Sequence, residues 1–407
     1  MAPPRYAVIG AGIIGLATAR ELQRRHPDAA VTVVDKEDAV GAHQTSHNSG
    51  VVHAGLYYPP GSLKAQLCTR GRHLLRDFCT EHGLANEECG KVVVARTHDE
   101  VATLREIEQR ATANRVPDLA WLSAPQLHDI EPHAAGVAAL HSPHTAIVDF
   151  AAVARALATG LDVRLGFEVT AVRQVGPEVV VTGPGQTDLA ADRLVVCAGL
   201  QADRVALLAG DTAGPAIVAF RGEYWRLIPA RTYLVRGLIY PVPDPAYPFL
   251  GVHFTRRVGG AVDLGPNAVL ATAREGYRRR QVIPTDLAAT LAWPGFRKMA
   301  RRHWRAGLRE LRGSLSKAAF VAEARRLVPD VTANDVVPAP AGVRAQAVDA
   351  DGTLVDDFRV GWAGTRGQVM TVRNAPSPGA TSALAIAEYL ADQLDEAGAG
   401  RYPPFRG

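Results

Sequence analysis

Tyr6-Ala-Val-Ile-Gly10-Ala-Gly12-Ile-Ile-Gly15, then Leu16 to Arg25, then Val31-Thr-Val-Val-Asp35, is the stretch that decides the fold. Tyr6 to Ile9 is an apolar run that reads as a buried strand, and the glycines follow at once. Leu16 to Arg25 reads as a helix stopped by Pro27, and Val31 to Val34 is a second strand closed by an acid. Each part has a physical task. Gly10 permits the tight turn, Gly12 lets a pyrophosphate approach the backbone, and Gly15 lets helix and sheet pack closely. The helix start, at Ile13 and Ile14, offers N–H groups and a positive dipole end to the phosphates. Asp35, about 20 residues past the last glycine, can accept from both hydroxyls of an adenosine ribose, with Lys36 beside it. A lone glycine turn is weak evidence. Between two strands, with an acid at this distance, it predicts a Rossmann-like unit that binds a dinucleotide. FAD and NAD share the adenosine diphosphate half, so the turn does not separate them.

The segment outward from there separates them. Gly41-Ala-His-Gln-Thr-Ser-His-Asn-Ser-Gly50-Val-Val-His53-Ala-Gly55 is small, polar and rich in histidine, unlike the helical path of a nicotinamide dehydrogenase. Such a stretch can wrap the second phosphate and run under a flavin ring, which makes His43, Thr45, Ser46, His47, Asn48, Ser49, Gly50 and Val51 candidate FAD contacts. Arg193-Leu-Val-Val-Cys-Ala198-Gly199 reads as a strand ending in a small-residue turn that returns to the nucleotide, and Val169 is placed on the same side. Arg373-Asn374-Ala375 opens the loop that runs to Thr381 ahead of an Ala- and Leu-rich helix, a further helix N-terminus for the cofactor.

With these segments in view, the chain resembles the L-2-hydroxyglutarate oxidases and dehydrogenases, within the D-amino acid oxidase superfamily of flavoproteins. The resemblance rests on His43 to Tyr58, Pro60 to Ala65, Phe220 to Tyr224, Leu238 to Pro245, Phe249 to Arg256, Gly265 to Ala271, Ala341 to Gln346, Leu354 to Phe358 and Asn374 to Thr381. It implies a mixed α/β (α+β) fold: a Rossmann-like FAD-binding domain carrying an inserted substrate domain built on an antiparallel β-sheet plus helices. The expected division is 1–90, 146–214 and 336–407 for the flavin, and 91–145 with 215–335 for the substrate. The implied reaction is oxidation of an α-hydroxy acid, L-2-hydroxyglutarate going to 2-oxoglutarate, with oxygen or a membrane quinone as the electron acceptor. Oxidation of another α-hydroxy or α-amino acid is a second reading, and a catalytically silent FAD-binding scaffold a third.

Such chemistry needs a base for the hydroxyl proton and cations for the carboxylates. Arginine suits a carboxylate because its rigid fork binds both oxygens. Arg344 matches the position where the superfamily holds the substrate carboxylate, and it also neighbours the flavin contacts. Arg256 is the candidate for the distal carboxylate of a five-carbon diacid, with Arg221 and Lys64 behind it. His53 and His253 are the candidate bases, and Tyr224 a candidate donor. Strict strand alternation puts His253 and Thr255 on one face and Arg256 on the other. Two positions depart from the family: Thr371 stands where a histidine is usual, in a place expected to approach the flavin, and Ser46 stands where glycine is favoured.

The bulk numbers are those of a globular protein. With 407 residues, 47% hydrophobic and 21% charged, two domains are the natural expectation. A net charge of +4 gives no argument for nucleic acid. The four cysteines show no metal-ligand spacing, so no metal is expected, and a reducing, cytoplasmic location fits them. No apolar run is long enough to span a bilayer, and no secretory leader is expected. The basic run from Phe296 to Arg305 reads first as a solvated helix face in an Arg-rich chain; its alternative is a cationic helix lying on the inner face of a membrane.

Overall fold

The computed structural model describes residues 3–212, 214–244, 251–363 and 367–398. Pro245, Phe249 and Leu250 of the quoted motifs lie outside the described residues. β1 (Arg5–Ile9), α1 (Ile13–Arg25) and β2 (Ala30–Val34) form the strand, helix, strand unit expected of the opening stretch. β1 pairs in parallel with β2 on one side and with Arg193–Val196 on the other. The six-stranded sheet runs in the order Arg359–Ala363, Val369–Asn374, Arg193–Val196, β1, β2, Asp162–Arg164. Ala7, Val8 and Ile9 are buried in succession, because a central parallel strand is covered on both faces. Leu16 and Leu22 of α1 pack with Ile386 and Leu390 of the C-terminal helix Ala383–Gly398 on one side. A three-stranded sheet, with Val179 and Val181 inward, covers the other.

A second, nine-stranded sheet holds the remaining long strands. Two of its features differ from expectation. Leu238–Pro241 pairs in parallel with Lys91–Ala95, so the sheet is mixed rather than antiparallel. A parallel pair needs a long crossover, and the chain between these strands makes one through the flavin unit. Val336–Val348 also belongs to this sheet, since it runs antiparallel to Ala216–Leu227 from Leu227↔Val336 to Ala216↔Val348. The flavin segment expected to begin at 336 thus opens on a strand paired into this sheet. Pro338 and Pro340 do not break this strand because it meets the sheet through one strand neighbour, where missing N–H donors cost little. Phe320, Val321 and Ala324 of helix Lys317–Ala324 pack under Ile239, Phe254 and Leu264 of the sheet.

Candidate flavin and substrate site

The glycine turn is held by backbone that has no room for side chains. Gly10 has φ +109°, and a Cβ there would lie 2.3 Å from the Cys197 carbonyl oxygen. A Cβ on Gly15 would lie 1.9 Å from the Gly10 oxygen. Gly12 is different, because its Cβ would meet only Thr45 Oγ1 at 3.5 Å. What keeps Gly12 bare is therefore whatever approaches from the cavity in front of it. Gly12 caps α1 without a side-chain hydrogen bond, and Thr45 Oγ1 accepts from the Ile13 N–H at 3.0 Å. Asp35 accepts from the backbone N–H of Ala11 at 2.6 Å and of Glu37 at 2.9 Å, which fixes the carboxylate at the tip of β2.

In front of the turn lies a cavity of about 1130 Å³, bordered by both sheets. That exceeds the roughly 300–1,000 Å³ of an ordinary small-molecule site, leaving room for a second ligand beside a dinucleotide. Gly10, Gly12, Ile13, Ile14, Asp35, Lys36, His43, Thr45, His47, Asn48, Ser49 and Val51 all line it, as do Val169, Ala198, Gly199, Arg344, Arg373, Asn374 and Ala375. Gly15, Ser46 and Gly50 do not. Gly15 sits beneath Gly10, Ser46 Oγ donates to the Gly41 carbonyl at 2.6 Å, and Gly50, at φ +73°, turns the chain against Val148. They shape the cradle from behind. The Arg373 guanidinium is likewise turned to Asp211 and to the Thr212, Gly214 and Pro215 carbonyls, and the Asn374 amide donates to the Val355 and Asp357 carbonyls. Glu37, His43 and Glu275 bring ligand atoms within 4.8 Å of one another, but the Lys36 ammonium already donates to both carboxylates and offsets part of their charge.

Four of the five catalytic candidates meet in the same cavity: His53, His253, Tyr224 and Arg344. The His53 backbone N–H donates to Thr381 Oγ1 at 3.1 Å, and its Nε2 lies 3.5 Å from Ser377 Oγ. Burial pushes its imidazole down to about 3, helped by the charges of Lys91, Lys64 and Arg344 and by His253. His253 is also pushed down to about 3, by burial first and by Lys91, although its bond to the Gly251 carbonyl acts the other way. With Nδ1 2.9 Å from that carbonyl, Nδ1 carries the hydrogen and Nε2 is left to accept. Burial lifts the Tyr224 hydroxyl to about 12, so it stays a donor. The Arg344 side chain is open to the cavity, while the protein around it disfavours its charge and the Asp356 carboxylate partly offsets that. Lys64 donates to the Asp356 carbonyl at 2.7 Å and to its carboxylate at 2.9 Å.

Arg256 is the exception. It does not line the cavity, and its guanidinium donates to the Arg236 carbonyl at 3.3 Å. Alternation along His253–Arg256 is the reason: His253 stacks on Tyr240 at 3.9 Å and Thr255 Oγ1 lies 3.5 Å from the Tyr240 hydroxyl, so Arg256 faces away. Arg221 is also elsewhere, paired with Glu223 at 2.9 Å. Thr371 is fully buried within Val369–Asn374, donating to Asp211 at 2.8 Å, and does not line the cavity. Three residues absent from the sequence-based candidates stand at this wall. Tyr57 and Tyr240 line the cavity, and Lys91 places its ammonium over both rings, 4.6 Å and 3.8 Å from their centres. Its one sequence signal was a lysine heading the apolar run Lys91-Val-Val-Val-Ala95.

Residues 5–393 match the family model described as FAD dependent oxidoreductase. The chain belongs to that family. Its relatives include proteins named L-2-hydroxyglutarate dehydrogenase. The mitochondrial one of Nematostella vectensis is 46% identical over 96% of this chain and 90% of its own length. That of Escherichia coli K12 is 40% identical over 98% of this chain and 95% of its own. Among solved structures, the FAD-bound L-α-glycerophosphate oxidase of Mycoplasma pneumoniae has the same fold, with a TM-score of 0.77 at 22% identity, covering 97% of this chain and 95% of that one. Glycine oxidase from Geobacillus kaustophilus gives 0.71 at 19% identity, covering 99% and 97%.

For this FAD-dependent oxidoreductase, the residues present fit the cofactor. The bare face of Gly12 and the N-terminus of α1 would take the pyrophosphate, and Asp35 the adenosine ribose. Thr45, Ala198 and Gly199 stand along the same wall.

Proposed function

We infer that this flavoprotein oxidises L-2-hydroxyglutarate to 2-oxoglutarate. The observation that carries the reading is one cavity joining a dinucleotide cradle to the Arg344 guanidinium and two imidazoles held neutral. FAD, when bound, would supply the hydride acceptor for the substrate's C2. The Arg344 fork takes the carboxylate beside the reacting carbon. His53, uncharged at working pH, takes the hydroxyl proton, and His253 Nε2 accepts a second hydrogen bond. For the distal carboxylate, Lys64 and the Tyr57 hydroxyl replace Arg256; that hydroxyl is buried with no hydrogen-bond partner among the described residues. Anaerobic addition of L-2-hydroxyglutarate should bleach the flavin absorbance, and the D enantiomer should not. Bleaching by another α-hydroxy or α-amino acid alone moves the substrate assignment. A flavin that no acid bleaches makes the protein a scaffold. Oxygen uptake measured with and without an added quinone then assigns the acceptor.

A peripheral contact with an anionic lipid surface is the second reading we propose, from helix Pro294–Leu315. Trp304, Leu308, Leu311 and Leu315 are 56%, 58%, 47% and 72% exposed, and their spacing sets them in one stripe. Exposed Arg301, Arg302, Arg305, Arg309 and Arg312 flank the stripe. An apolar stripe edged with guanidinium groups complements anionic headgroups over acyl chains. The Glu310 carboxylate accepts from the Ala268 N–H at 2.7 Å, and Asn267 and Ala268 line the cavity, so the helix adjoins the site's border. Among the described residues no helix is long and apolar enough to cross a membrane. Vesicles of mixed phosphatidylglycerol and phosphatidylcholine should sediment the protein at low salt, and Trp304→Glu with Leu308→Glu should abolish this. Failure to sediment returns the helix to a solvated face.

A further inference from the structure

The ion pair of Lys64 with Asp356 lines the cavity together with Arg344, His53 and Tyr57, and its two members are placed very differently. The Lys64 side chain is 7% exposed and that of Asp356 82%, so the base is inside and the acid stands at the solvent border. Lys64 comes from the first turn of helix Leu63–Glu81 and donates twice to Asp356, to its main-chain carbonyl at 2.7 Å and to its carboxylate at 2.9 Å. The first of these bonds is made to fixed structure. The Val355 N–H donates to the Ala347 carbonyl at 3.0 Å, and the Asn374 amide donates to the Val355 and Asp357 carbonyls, so the backbone is pinned on both sides of Asp356. The second bond ends on a carboxylate that water can hydrate where it stands.

We propose that the Asp356 carboxylate is an internal competitor for the distal-carboxylate position: it holds the Lys64 ammonium in the empty site, yields it to an entering diacid, and takes it back as the diacid product leaves. The proposal rests on the assignment of Lys64 to the distal carboxylate. An ammonium has three rotatable donors, so the carbonyl bond can keep Lys64 in place while its carboxylate partner changes. An ion pair with one exposed member is worth little, because that member is nearly as well solvated by water. Leaving the enclosed ammonium with no carboxylate is the costlier state, and the exchange avoids it at both ends of the cycle. One carboxylate replaces another, so the charge around Lys64 is the same with the site empty or filled. A monoacid held by Arg344 has nothing with which to displace Asp356 and leaves the pair closed. The affinity for a diacid is therefore a difference between two carboxylates competing for one cation. That difference keeps the diacid product from being held too tightly to leave.

The test compares FAD-loaded wild type with Asp356→Asn, which keeps the carbonyl anchor and the side-chain shape but removes the competing charge. Two unreactive acids are titrated against the flavin absorbance, without turnover: glutarate, a five-carbon diacid, and butyrate, which lacks the second charge. Glutarate should bind about three- to fivefold more tightly to Asp356→Asn, and butyrate within about twofold of wild type. In turnover, KM for L-2-hydroxyglutarate should fall and inhibition by 2-oxoglutarate should strengthen by a similar factor, while kcat does not rise. A carboxylate that only orients Lys64 predicts the opposite sign, so weaker or unchanged glutarate binding in the variant overturns the proposal. An equal gain for both acids overturns it too, since that is a general field on Arg344 and not an exchange at Lys64. Tighter glutarate binding in a protein that L-2-hydroxyglutarate does not bleach supports the exchange and moves only the substrate. Bleaching with no glutarate gain sinks the exchange and leaves the substrate reading intact. Should Asp356→Asn fail to load flavin, Asp356→Ser is read against the same outcomes.

Discussion

The nucleotide cradle and the substrate wall face one cavity and are made of different material. The cradle is backbone: Gly10 and Gly15 pressed against carbonyl oxygens, N–H groups at the start of α1, and a carboxylate pinned by two amides. The wall is side chain, and its members come from far apart: His53 after a two-residue strand, Tyr224 and Arg344 from one long ladder, Tyr240 and His253 from another part of the sheet. A backbone device is contiguous in sequence and tolerates almost no substitution. A side-chain device is scattered, and single changes to it should spare folding while altering chemistry.

The largest effect that would break this contrast is in the cradle. Gly15→Val would drive a side chain through the Gly10 carbonyl, where a Cβ alone would sit 1.9 Å away. The purified protein should be colourless and lose its cooperative melt, by circular dichroism and flavin absorbance together. A yellow, folded Gly15→Val would show that the turn is more plastic than its packing implies.

At the wall, Arg344→Ala should keep flavin and fold but lower kcat/KM for L-2-hydroxyglutarate on the order of 10²–10⁴-fold, because a bidentate charged contact is lost. Arg256→Ala should change it less than about twofold, as expected of a surface-directed side chain. Equal losses in both would return Arg256 to the site. His53→Asn should reduce kcat by roughly 10²–10⁴-fold, the usual yield of a positioned base. The buried imidazoles also make a stability prediction. Their folded values of about 3 lie below the unfolded 6.5, so the unfolded chain binds more protons as pH falls between them. Stability is fully present above 6.5 and should decline as pH drops toward 3; melting temperatures of His53→Asn with His253→Asn should decline less.

The same contrast explains what could be read in advance. The opening stretch states its fold because turn, helix start and acid are local and each residue type has one physical reason. The candidate flavin contacts clustered for the same cause, and those outside the cavity still sit against it, Gly15 in the first turn of α1 and Ser46 and Gly50 in the loop after β2. Arg256 was legible in its negative sense, since alternation already turned it from His253. Lys91 and Tyr240 were not. Their meeting depends on the parallel pairing of Lys91–Ala95 with Leu238–Pro241, a long-range register that periodicity does not encode. The assignment of Val336–Val348 to the larger sheet was hidden by the same kind of long-range pairing.

Thr371 gives the smallest effect and tests the contrast from the other side. Its departure from the family pattern suggested a change beside the flavin, yet its hydroxyl is spent on Asp211, which also receives Arg373 at 2.9 Å. Thr371→Val removes one hydrogen bond from a fully buried site but leaves Asp211 its arginine, so about 1 kcal/mol of stability should be lost. Turnover and the flavin spectrum should stay within about twofold of wild type, because the position is set back from the cavity. Chemical denaturation and steady-state rates measured on one preparation separate the two. A variant that melts normally but turns over tenfold slower would mean that this strand transmits its packing to the flavin, and the division into backbone cradle and side-chain wall would have to be redrawn through Asp211.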